Sequence, residues 1–175
     1  MQFLGRLLKW EPVQDFTDLP YMPPTPPVEP VIPPVEAPKQ PVVATLLWDT
    51  PQHCFHSVRV ICDREGLTLE QKNELCATIY GESEFNNNAV CKNKNAQGIV
   101  TSIDVGICQW NSYWHCGEGK TFPSTTYVVE NPDKAVKKMV QFYKNGQINL
   151  WVAHKSGRYL QFLKPNSPMW KLKQT

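Results

Sequence analysis

The sequence predicts an α+β domain, mainly helical, with a small β-hairpin. Three observations carry that prediction. Two segments, opening at Thr68 and at Asn131, combine helix-start chemistry with apolar residues at helical spacing. A third helical pattern runs over 148–162. Between them, residues 102–111 are partly β-branched and bounded by turn residues, which suits a short strand. Helices around one small strand region make an α+β arrangement.

Taken in order, residues 1–19 form a short segment whose apolar Phe3, Leu4, Leu7, Leu8 and Trp10 are interrupted by Arg6 and Lys9. Such an interruption is unlike a secretory leader, and no apolar run is long enough to predict a spanning helix. The patch reads as an amphipathic turn for a membrane surface or a partner, or as an irregular start. Ten of the residues from Pro20 to Pro41 are proline, and Pro-Pro-Val-Glu occurs at 26–29 and again at 33–36. Proline lacks the backbone donor that helix and sheet need, so the stretch favours extended polyproline II. At about 3.1 Å per residue it reaches roughly 70 Å. Residues 20–50 therefore read as a semi-rigid spacer, and residues 51–175 as the folded domain.

Thr68 and Gln71 fit a capping box. Leu69, Leu75, Cys76, Ile79 and Tyr80 then share one helical face, and Gly81 is expected to stop or kink the helix just before Glu82. Residues 86–101, rich in Asn, Lys and Gly, read as a loop entering the hairpin. Asn131 as N-cap and Pro132 in the first turn open the next helix. Ala135, Val136, Met139, Val140 and Tyr143 line it, and Gly146 closes it. Within 148–162, Trp151, Val152 and Leu160 are apolar and Gly157 marks a break.

The net charge of +2 is unevenly spread: residues 1–50 carry three Lys/Arg and six Asp/Glu, residues 51–175 fifteen and ten. A mildly basic folded part suits an anionic polymer such as bacterial wall or nucleic acid, and equally a solvated surface. All six cysteines (Cys54, Cys62, Cys76, Cys91, Cys108 and Cys116) lie in that part, compatible with three disulfides. Their spacing is not that of a zinc site. His53, His56, His115 and His154 are scattered, so no metal or organic cofactor is expected.

Two carboxylates sit in contrasting settings. Glu82, in Gly81-Glu82-Ser83-Glu84-Phe85-Asn86, ends an apolar helix with Tyr80 and Phe85 near. A proton donor must be desolvated to keep its proton, and that setting is a fitting place for a raised pKa. Asp104 lies among strand and turn residues, with the amides of Gln109 and Asn111 close behind. One carboxyl holding its proton and one ionised are what glycosidic bond cleavage needs. The plainer roles are a glutamate at a helix end and an aspartate capping a turn. Gln109 and Asn111, two apart, are expected on one side of a strand, offering amides to sugar hydroxyls and N-acetyl groups. Tyr113 and Trp114 offer flat faces to sugars or to the core.

Glu82-Ser83-x-Phe85-Asn86, followed by Ser102-x-Asp104-x-Gly106-Ile107-x-Gln109-x-Asn111-Ser112-x-Trp114-x-Cys116, resembles the central motif of c-type lysozymes. Asn149-x-Trp151-Val152-Ala153 resembles a later segment of the same family, in the same order. The resemblance spans about residues 68–157, roughly half the chain. It implies a lysozyme-like fold, with Glu82 as general acid and Asp104 as nucleophile or stabiliser of the oxocarbenium ion. It places Gln109 and Asn111 on the floor of the sugar cleft, Trp114 as a stacking tryptophan and Trp151 against the acid. Ser83, Asn93 and Ala153 complete the implied substrate-binding set. The raised proton affinity of the acid is a known property of lysozyme and comes with the resemblance.

The sequence also departs from the family. The loop between Asn86 and Asp104 is longer, and His115 stands where a second tryptophan usually lies. No cysteine follows Cys116, so any disulfides connect differently, and the proline-rich front is foreign to the family. Lytic transglycosylases share Glu-Ser-x-Phe-Asn and Gly-x-x-Gln-x-Asn; they use a single glutamate and release a 1,6-anhydro sugar. Three readings follow: a retaining muramidase, a lytic transglycosylase on the same fold, and a non-enzymatic glycan-binding or structural relative in a phage particle. The implied partner is bacterial peptidoglycan, not nucleic acid. The implied place of action is the cell wall, reached by way of a phage particle or lysis system. Residues 1–19 are then the part that meets a phage structural protein or a membrane surface.

Overall fold

The computed structural model describes residues 44–173; residues 1–19 and the spacer through residue 43 lie outside the described residues. The chain enters along the first helix. Leu46 and Trp48 pack against the core, and the Ser57 hydroxyl donates to the Leu47 carbonyl (2.7 Å) while accepting from its amide (2.9 Å).

Helix α1, Pro51–Arg64, is an element the periodicity reading does not anticipate. Thr50 caps it, accepting from the His53 amide, and Pro51 occupies its first turn. Cys54, Phe55, Val58, Ile61 and Cys62 make its buried stripe. Helix α2 spans Leu69–Ser83 and carries the expected capping box: Gln71 N donates to Thr68 Oγ1 and Thr68 N to Gln71 Oε1. Leu75, Cys76 and Ile79 are buried, but Leu69, in the first turn, is exposed.

Gly81 neither stops nor kinks α2, which runs two residues further. A β-carbon at Gly81 would lie 2.7 Å from that of Ala153 and 3.2 Å from the Phe162 ring. Glycine is there for close approach between segments, not for helix termination. The helix ends instead at Glu84, in the left-handed region (φ 55°), and Phe85 follows at φ 62°. That conformation is costly for a bulky residue. Phe85 holds it from a fully buried site, edge-to-face with Phe55 at 5.2 Å.

The expected loop over 86–101 contains a strand. Strands β1 (Val90–Lys94), β2 (Val100–Val105) and β3 (Trp110–Asn111) form an antiparallel sheet in that order. The polar composition of β1 hid it: four of its five residues are exposed, so no apolar alternation marks it. Register sets Asn93 opposite Ser102 and Asp104 opposite Asn111. Only Asn111 of the expected amide pair lies on a strand. Gln109 closes the preceding turn at φ 51°.

Helices α3 (Ser112–His115), α4 (Thr125–Glu130) and α5 (Pro132–Lys144) follow. Asn131 sits at the α5 cap position, but its amide donates to the Tyr127 carbonyl instead of capping. Ala135, Val136, Met139 and Val140 are buried as expected. The helical pattern expected over 148–162, with a break at Gly157, is three pieces: a 3-10 turn Ile148–Leu150, helix α6 Val152–Lys155, and a 3-10 segment Arg158–Leu163. Trp151 takes extended backbone (ψ 132°) to bury its ring, and Gly157 at φ 73° breaks the chain where expected. Helix α7, Pro168–Lys171, buries Met169 under the core. All six cysteines stand as thiols, with only Cys91 exposed.

Candidate active site

A cleft of about 580 Å³ opens between the sheet and the segment around α6. Glu82 enters it from the last turn of α2 and Asp104 from β2. Asn93, Gln109, Asn111, Trp114 and Trp151 also line it, together with Trp110, His115, Leu150 and Val152.

Glu82 is partly buried. Desolvation raises its pKa above the ordinary glutamate value, and the Asp104 charge adds to the rise. Two groups oppose it: the Ala153 amide, which donates to Glu82 Oε1 at 2.6 Å, and the Arg158 guanidinium. Trp151, only 6 % exposed, forms the apolar wall of the same cleft. Its indole donates to the Cys108 carbonyl at 2.7 Å, and its ring meets Trp110 edge-to-face at 5.1 Å. Trp110 in turn contacts Phe122, Phe142 and His115, so an aromatic cluster fixes the wall.

Asp104 is held by side-chain amides. Asn93 Nδ2 donates to one carboxylate oxygen at 3.0 Å and Asn111 Nδ2 to the other at 2.7 Å. A carboxylate, with acceptors only, satisfies both donors. Ser102 Oγ accepts from the same two amides, at 3.2 and 3.1 Å. The pleat brings these four side chains to one face of the sheet.

The other candidates divide. Asn111 also caps α3, its Oδ1 accepting from the amides of Tyr113 and Trp114. Gln109 spends its amide on the carbonyls of Ala89 and Gly106 (3.1 and 2.9 Å), which closes the turn between β2 and β3. Trp114 is 70 % exposed at the cleft edge, with Tyr113 packed edge-to-face against it. Ser83 and Ala153 are not among the cleft-lining residues. The Ser83 hydroxyl donates to the Ile107 carbonyl at 2.7 Å, and Ala153 serves Glu82 through its backbone. Burial depresses the His115 pKa, against the pull of Asp104. Leu150, Val152 and His115 carry no local signal that marks them as cleft residues. Among the described residues no group of three or more His, Cys, Asp or Glu is placed to hold a metal ion.

A desolvated glutamate on a helix, facing an amide-held aspartate on a three-stranded sheet, defines a lysozyme-like domain. The chain is 36% identical over 100 residues to lysozyme C-1/C-2 of Axis axis, a match covering 53% of this chain and 72% of that protein. It is 36% identical over 90 residues to lysozyme C-3 of Anas platyrhynchos, covering 46% of this chain and 65% of that one. It is also 36% identical over 100 residues to lysozyme C-1 of Bos taurus, 53% of this chain and 63% of that one. No protein-family profile matches the chain. The chain belongs to the lysozyme C family.

Proposed function

We propose that the domain hydrolyses the β-1,4 bond between N-acetylmuramic acid and N-acetylglucosamine in peptidoglycan, with retention. One observation carries the reading: two carboxylates share one cleft, and burial raises the pKa of Glu82 while Asp104 accepts from two amides. Glu82, whose pKa burial raises, gives its proton to the leaving glycosidic oxygen. Asp104 attacks the anomeric carbon or stabilises the positive charge that develops there. A water then completes the hydrolysis, with the Glu82 carboxylate taking its proton. Trp114 supports sugar stacking at the cleft edge.

A second reading has its own support. Both oxygens of Asp104 are already engaged, which suits a lytic transglycosylase that relies on Glu82 alone. Mass analysis of sugars released from purified peptidoglycan separates the two. A reducing muramic acid end is the expected product; a 1,6-anhydro end, lighter by one water, would overturn the hydrolase reading. Absence of any released sugar would support the non-enzymatic, glycan-binding reading. We also infer that the proline-rich part of the 20–50 segment acts as a spacer, its last residues, Leu46 to Trp48, being packed on the domain, and that residues 1–19 meet a phage structural protein or a membrane surface. Delivery by a phage particle or lysis system is the route this arrangement supports.

A further inference from the structure

We propose that Glu74 and His154 form a positioning latch for the proton donor. The proposal rests on the reading of Glu82 as general acid. It starts from a weakness in the fold. The amide that binds Glu82 belongs to α6, a helix of four residues without a side-chain cap at its N-terminus. A single turn of helix does not hold its own shape in water. Something outside α6 must fix the Ala153 amide to within hydrogen-bond distance of the acid.

His154, the next residue, meets that need. Its Nε2 lies 2.8 Å from Glu74 Oε1 and its Nδ1 lies 2.7 Å from Asn149 Oδ1. Its ring stacks on Tyr159 at 4.5 Å, the planes 11° apart. One imidazole thus ties α6 to α2 and to the 3-10 segments on either side. Glu74 is anchored in turn by the Tyr143 hydroxyl of α5, which donates to Oε2 at 2.5 Å. Burial works against ionisation of Glu74, yet the Tyr143 hydroxyl and the His154 ring together hold its pKa below the ordinary value. Glu74 and Glu82 ride on the same helix, about 12 Å apart along its axis. Helix α2 therefore grips α6 twice: Glu82 takes the Ala153 amide and Glu74 takes the neighbouring side chain.

This geometry has a titration consequence with a definite sign. The groups acting on Glu82 are Asp104 from β2, Arg158 from the 3-10 segment after α6, and the Ala153 amide. Those facing His154 and Glu74 are Tyr143, Tyr159 and Asn149. The Ala153 amide favours ionised Glu82, so releasing α6 moves the Glu82 titration upward. A latch that served stability alone would leave that titration in place.

The test titrates the Glu82 carboxyl by carbon-13 NMR in the full chain, without substrate, in wild type, His154→Leu, Glu74→Leu and Glu74→Gln. The two leucine variants are expected to titrate at higher pH than wild type. Glu74→Gln, which can still accept from His154, is expected to stay at the wild-type midpoint. On peptidoglycan, kcat of the leucine variants falls roughly tenfold, in line with one lost hydrogen bond to a charged group, and KM stays within about twofold. An unmoved midpoint in both leucine variants overturns the latch. If either fails to fold, Asn149→Ala, which removes only the Nδ1 partner, is read the same way: an upward shift supports the latch and none overturns it. The titration needs no turnover, so a shifted midpoint in a protein that cleaves nothing would sink the enzymatic reading and leave the latch standing.

Discussion

The two carboxylates of the cleft are held in opposite ways. Asp104 is fixed by its neighbours: Asn93, Ser102 and Asn111 all lie within the sheet that carries it. Glu82 is fixed by residues some seventy positions downstream, through the Ala153 amide and the Trp151 wall. One setting is local and polar, the other non-local and partly desolvated. On the proposed reading, these opposite surroundings divide proton donation from charge stabilisation between two similar side chains.

The strongest way to break that division is to remove the proton. Glu82→Gln is expected to lower peptidoglycan cleavage by about a hundredfold to ten-thousandfold, the range for a lost general acid. Turbidity clearing of purified wall measures it, and undiminished clearing would contradict the assignment. The same variant has a stability signature. The folded-state pKa of Glu82 is raised, so its ionisation costs more in the folded protein than in the unfolded chain. That cost is absent below the ordinary glutamate pKa and appears as pH climbs through the folded value. Glu82→Gln should therefore melt like wild type in acid and above it at neutral pH.

Asp104→Asn tests the polar half. A loss of about a hundredfold is expected if the carboxylate acts on the anomeric carbon or its charge. A loss below about threefold would leave Glu82 acting alone. Trp151→Ala opens the desolvated half. Water reaching Glu82 lowers its pKa, so the alkaline limb of the pH–rate profile moves down, opposite to the shift expected on releasing α6. An unchanged limb would mean that Trp151 is not the wall. That variant also loses about 3–5 kcal/mol of stability, so its kinetics belong at low temperature. The smallest effect lies just past the acid. Glu84→Gly relieves a left-handed residue and should raise stability by up to about 1 kcal/mol in thermal melts.

The local and non-local halves also differ in how far the sequence discloses them. The Thr68 capping box, the helix after Pro132 and the Gly157 break are readable because each depends on residues a few positions apart. Asp104 and Asn111 are legible as a pair for the same reason. Strand β1 was hidden because its side chains are mostly exposed, whereas α1 carries a legible signal, Thr50-Pro51 followed by apolar residues at 54, 55, 58, 61 and 62. The place of Gln109 depends on a turn conformation that spacing alone does not reveal. That Ala153 contributes a backbone amide, or that Glu74 and His154 meet, follows from the packing of α6 on α2. No window of sequence contains both partners.

Gly81 gives the non-local half an evolutionary consequence. Its missing β-carbon leaves the room that the Ala153 side chain and the Phe162 ring fill. Any side chain acquired at 81 meets the first of these at a distance no relaxed packing allows, so it survives only if positions 153 and 162 shrink or shift as well. Three positions spread over half the domain thus change together or not at all. Lineages diverging from this sequence should be epistatic here: a substitution harmless in one background would disrupt the packing beside Glu82 in another.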